Sequence, residues 1–235
     1  MTVEDIVMPD GAVVGQCIIN ATFEEWISHV FEHNEEEGEW WHGTSFTEWR
    51  LPASNTVAFL KRTFRESGSL LKGFSEKQAG EGLYYITDLS RSNIASSLAD
   101  ESVPIATRCD TIAALRQLYS DCFNVRCEPR LSYLDETRNP LNGICYMLWD
   151  VLPVYGHPEN ESLKQFDNEC LAVMEFALGL SSDACRESAL HGLGHWSNYY
   201  PENAGQSADK FIQRNPNARS ELIAYATKAR TGDVL

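Results

Sequence analysis

Basic residues are scarce in this chain and almost absent from its beginning. Lys and Arg number 19 against 34 Asp and Glu, a formal charge of −15 over 235 residues. Residues 1–50 hold eleven acids and a single base, Arg50, so −10 of that charge lies in the first fifth of the sequence. Nucleic acid and anionic membranes need a basic footprint, so neither fits as a partner. No run approaches the roughly 18 apolar residues of a membrane helix. Glu4 and Asp5 stand where an export signal would carry basic residues, and no such signal is expected.

Catalytic signatures are missing as well. There is no Walker loop, no GxGxxG after a strand and no GxSxG elbow. The seven cysteines (17, 109, 122, 127, 145, 170 and 185) are odd in number and scattered. Cys122 and Cys127 are the one close pair, and no second pair completes a zinc site. Several fall at apolar positions of helical patterns, where free Cys acts as a small hydrophobe. Together these features predict a reduced, cytoplasmic chain with no cofactor and no enzymatic activity.

What remains is enough for a folded body: 43% of residues are hydrophobic and 11% aromatic. Nearly every segment has helical spacing. Thr22 and Glu25 form a capping box ahead of Phe23, Trp26, Ile27, Val30 and Phe31. Further helices are predicted over 54–66, from the Ser75–Gln78 cap through 88, from about Asp110 to Phe123, and from Asn139-Pro140 through LNGICYMLWDVL. The carboxy-terminal part, 160–235, has the best-defined pattern: helices over 160–180, 183–198, 206–214 and 217–230. Strand signals are weak: VVGQCII (13–19) is a short candidate and VPIA (103–106) a poorer one. Residues 1–21 read as an irregular amino-terminal segment. The expectation is a single all-α domain of about nine helices with little or no β, either an irregular array of helical hairpins or a globular helical array.

The segment DACRESALHGLGHW (183–196) resembles the second helix of a HEAT repeat, with Asp183, Arg186, Ala189, Leu190 and Gly192 in comparable places. With the preceding helix the resemblance covers about forty residues. The wider carboxy-terminal run is similar to the tails of uncharacterised bacterial α-helical proteins. Some proteins of that kind are encoded beside secreted toxins as immunity proteins. The resemblance implies a HEAT-like, protein-binding body and supplies no functional residues.

Two places could carry chemistry. His191 and His195, at i and i+4, share a helix face and could reach one zinc ion. A zinc protease would need Glu directly after the first His; Gly192 stands there, so that mechanism is excluded, and no third ligand is apparent. The alternative for the pair is an ordinary helix–helix contact. Gly192 and Gly194 cost the helix about 1 kcal/mol each relative to Ala, which predicts close packing by a neighbour, with a backbone-lined binding notch as the alternative.

The second place is EHNEEEGEWWHG (32–43). His33 and His42 with Glu32, Glu35, Glu36, Glu37 and Glu39 offer ligands for zinc, manganese or iron, but a loop is a poor metal cage. A solvated acidic loop anchored by Trp40, Trp41 or Trp49 is the plain reading. The functional one is a protein interface: four of the six tryptophans lie in 26–49, Trp is enriched at binding hot spots, and rim carboxylates orient a basic partner. The expected contact residues are Glu35, Glu36, Glu37, Glu39, Trp40 and Trp41. Charge and resemblance together predict an acidic immunity protein that occludes a cationic toxin, such as a basic nuclease. The alternatives are a metal-dependent or small-molecule enzyme using His191 and His195, and a helical-repeat scaffold for another protein.

Overall fold

Pro9-Asp10-Gly11 separates two apolar-rich runs, and this is turn chemistry. In the computed structural model, which describes residues 1–36, 40–42 and 46–234 with His42 and Phe46 as backbone alone, the chain reverses there. Gly11 takes φ 86°, a conformation that favours glycine. Its N–H donates to Met8 O, and the Met8 N–H donates to Ala12 O. The flanking strands β1 (Thr2–Val7) and β2 (Val13–Asn20) pair antiparallel, and β3 (Phe46–Trp49) adds parallel to β2 in the order β1-β2-β3. Residues 1–21 are therefore a β-hairpin rather than an irregular segment, and the chain carries a small sheet where little or no β was expected. The 13–19 strand is present. VPIA is not a strand: Pro104 leads into a helix, as its fixed φ and missing N–H allow.

The rest is mostly helical. Nine helices of nine residues or more occur among the described residues: α1 (Phe23–Phe31), α2 (Ala53–Arg65), α3 (Glu76–Thr87), α4 (Ile105–Ala113), α5 (Pro140–Val151), α6 (Lys164–Leu178), α7 (Asp183–Trp196), α8 (Pro201–Arg214) and α9 (Ser220–Ala229). Both expected capping boxes form, Thr22 with Glu25 and Ser75 with Gln78. Asn139 Oδ1 accepts from Leu141 N at 2.9 Å, opening α5 beside Pro140. The expected 110–123 helix starts earlier, at Ile105. It continues through further helical turns, of which Leu118–Phe123 widens into a π-helical turn.

Packing follows a simple order. The odd-numbered helices form one row, α1 on α3, α3 on α5, α5 on α7 and α7 on α9; α2, α4, α6 and α8 contact one another in sequence as a second row. Contacts of α7 with α6 and of α9 with α8 join the rows. One hydrophobic cluster extends from Ile18 to Val234. At its centre Leu190 and Leu193 are wholly buried, each contributing roughly 2 kcal/mol by removal from water. Six of the seven cysteines are buried and all are reduced. No helix among the described residues is long and apolar enough to cross a membrane.

Candidate functional sites

The amino-terminal charge sits on two surfaces. The first is the hairpin. Every residue of β1 except Ile6 is exposed, including Glu4 and Asp5, and Asp10 is exposed at the turn. Apolar side chains stand beside them: Met1, Val3, Val7, Met8, Val13 and Val14 are among the exposed large hydrophobics of the described chain. Gly15 and Cys17 are buried on one face of β2 and Ile18 on the other, whereas β1 has no buried residue. In the three-stranded order β1 is an edge, bonded on one side by β2.

The second surface is the loop after α1. Glu35 and Glu36 are exposed; Glu37 and Glu39, expected contact residues too, lie outside the described residues. Trp40 and Trp41 are half-buried and pack on their own chain. Trp40 stacks on His33 with ring centroids 3.3 Å apart and leans on Tyr85 at 4.6 Å. Its Nε1 is buried with no acceptor among the described residues. Trp41 lies under the Arg91 guanidinium, 4.3 Å from the ring centroid, a cation–π contact. Trp26 and Trp49 are buried and meet edge-to-face at 4.9 Å. The indoles of Trp40 and Trp41 thus pack on their own chain with part of each ring still at the surface. His33 Nε2 lies 2.8 Å from Val30 O. His29 is enclosed by Trp40, Trp49 and Tyr85. Burial, with His33 nearby, lowers its pKa to about 4, so this imidazole is neutral at pH 7.

At the other end of the chain, α7 buries eleven of its fourteen residues. Its polar groups are met individually. Glu187, buried, accepts from the backbone N–H groups of Ser132 and Tyr133, each at 2.9 Å; burial nonetheless pushes its pKa up to about 7. Arg186 donates to Leu180 O at 2.7 Å and pairs with Asp183. Ser188, Tyr119 and Trp149 form a buried chain: Trp149 Nε1 donates to Tyr119 Oη at 2.9 Å, and that hydroxyl lies 2.7 Å from Ser188 Oγ.

Gly192 lets α5 approach. A Cβ placed there would stand 2.6 Å from Trp149 Cγ and Cδ1, closer than side chains tolerate. A Cβ on Gly194 would strike Val234. Both glycines serve packing, one against a helix and one against the chain beyond α9, and the alternative notch is filled. Because α5 comes so close, Asp150 reaches the two histidines. His191 Nε2 lies 3.1 Å from His195 Nε2, which is 3.5 Å from Asp150 Oδ1. His191 is buried, His195 half-buried and Asp150 exposed. Burial and the neighbouring His195 lower the His191 pKa to about 4. This third partner could not be read from the sequence: Asp150 lies 41 residues before His191, and the one hint was Gly192 itself.

A groove between α6 and α8, lined by Glu175, Phe176, Ser207, Lys210 and Phe211 among others, is the remaining concavity of note. Its carboxylate meets Ser207 at 2.7 Å and Lys210 at 3.8 Å. No family model matches the chain, and no curated protein or solved structure matches it either.

Proposed function

We propose that this chain is a binding protein whose amino-terminal end receives a basic protein partner. We further propose that the partner is a cognate bacterial toxin, a basic nuclease being the class that fits, neutralised by occlusion in the cytoplasm. The observation that carries the reading is the hairpin surface, where six exposed apolar side chains share the segment 1–14 with Glu4, Asp5 and Asp10. Exposed apolar clusters rimmed by charge mark interaction sites. The outer edge of β1 offers unpaired backbone groups to an added strand. Its carboxylates repel a second acidic copy and favour a partner strand bearing Lys or Arg. Glu35 and Glu36 add to the same negative field, which steers a cationic partner. A nuclease carries cations for phosphate, and an acidic surface competes for them without catalysis. The two-row helix order suits a HEAT-like body as the support, in line with the resemblance of α7.

Co-expression with the product of the neighbouring gene, read as survival, tests the biology. The association rate of the purified pair at low and high salt tests the physics. Glu4→Lys with Asp5→Lys should abolish protection, and Glu35→Gln with Glu36→Gln should slow association several-fold. A rate indifferent to salt, or full protection by the Lys variant, defeats the reading.

A further inference from the structure

Three hetero-atoms meet at one point between α5 and α7 and share too few hydrogens. His195 Nε2 approaches both His191 Nε2 and Asp150 Oδ1. At most one N–H lies between the two imidazole nitrogens when both rings are neutral, and it must serve a carboxylate as well. A cation at the centre satisfies all three lone pairs at once. We propose that Asp150, His191 and His195 hold one divalent transition-metal ion, zinc by ligand preference, with the fourth position open to water or an added ligand.

The size agrees. Zinc binds imidazole nitrogen at about 2.0–2.1 Å and carboxylate oxygen at about 2.0–2.2 Å, which in a tetrahedron sets neighbouring ligand atoms about 3.3–3.5 Å apart. The two separations from His195 Nε2, 3.1 and 3.5 Å, match this edge, and the third pair, within 4.8 Å, would close by a rotation of the exposed Asp150 side chain. Three protein ligands of nitrogen and oxygen with an open side is the donor pattern of zinc sites that retain water. The open side is present, since Asp150 is exposed and His195 half-buried.

The outer shell is built too. His191 Nδ1 lies 2.8 Å from Tyr225 Oη, which lies 3.2 Å from Tyr146 Oη, and the Tyr146 ring packs 4.4 Å from the His191 ring. With Nδ1–H donating to the Tyr225 hydroxyl, the lone pair on Nε2 would be turned toward the metal. Gly192, between the two ligands, sets the approach of α5 that delivers Asp150.

The test uses the full chain without a histidine tag, and zinc ions alone. Calorimetry should find one ion per chain, and Asp150→Asn and His195→Ala should each weaken binding at least ~10-fold. Both positions reach solvent, so folding should survive; circular dichroism checks it, and if one variant fails to fold the other decides. Cobalt substituted into the unaltered chain should give the intense visible bands of a four-coordinate site, and His157→Ala, at an exposed histidine elsewhere, should change nothing. Absent binding, affinity unchanged in the folded variants, or a six-coordinate cobalt spectrum would overturn the site.

Discussion

The first fifty residues and the last hundred handle apolar groups in opposite ways. In the carboxy-terminal part Glu187 meets two backbone amides and Asp167 Oδ2 accepts from His157 N at 2.5 Å and Tyr200 Oη at 2.7 Å, while Asp167 Oδ1 and Ser182 Oγ are buried with no hydrogen-bond partner among the described residues. Apolar residues there are buried along α7 almost without interruption. The amino-terminal part leaves valines of β1 and β2 and the flanking Met1 and Met8 in solvent, and holds its loop by packed rings around His29 and His33. The contrast separates a region that buries its apolar side chains from one that leaves several of them on an outward face. Stacking tolerates adjustment, whereas paired hydrogen bonds fix position.

The comparison can be broken at several points. The largest effect belongs to Glu187→Ala. It strands two backbone donors, and chemical denaturation should show a loss of roughly 3 kcal/mol; a loss below 1 would mean water replaces the carboxylate and the region is less ordered than described. Gly192→Ala comes next. Its gain in helix propensity is outweighed by the overlap with Trp149, for a net loss of roughly 2 kcal/mol in the same assay. A neutral outcome would show that α5 can step back.

Acid sharpens the contrast. His29 has its pKa lowered by burial to about 4 from an ordinary value of 6.5, so its contribution is whole above pH 6.5 and is lost as pH falls toward 4. At pH 5 the deficit should be roughly 1–2 kcal/mol. Glu187 moves the other way: raised to about 7, it favours the fold at low pH and loses that advantage as pH climbs from 4.5 through 7, offsetting His191 nearby. Hydrogen exchange at pH 5 relative to pH 7, corrected for intrinsic rates, should therefore rise more in α1 than in α7, and His29→Phe should remove the difference. Last, Val3→Ser with Val7→Ser should change stability by no more than about 0.5 kcal/mol while impairing association with the partner. A large loss of stability would mean these side chains are packed.

Helix positions were legible because caps and apolar spacing are local signals: Thr22 with Glu25, Ser75 with Gln78 and Asn139 before Pro140 each mark a start that the structure realises. The hairpin was legible in part. The 13–19 strand has alternation, but β1 buries almost nothing, so its residues carry no period of two, and the Pro9-Asp10-Gly11 turn was the one remaining clue. The parallel pairing of β3 depends on contacts across some thirty residues and leaves no local mark. The same holds for the histidine cluster. Its α7 half is visible as spacing, while Asp150 arrives by tertiary packing through Gly192. In the acidic loop tryptophan density reads alike whether rings face a partner or, as with Trp40 on His33, their own chain.

The alternating rows have a consequence for how the chain comes together. Helix contacts within each row join elements two places apart along the sequence, with the intervening helix and its loops between them, so every row contact closes a long stretch of chain. Closures of this kind slow folding relative to a framework of local contacts. The parallel β2–β3 pair, reaching over α1 alone, closes a shorter loop than these and clasps the amino-terminal end.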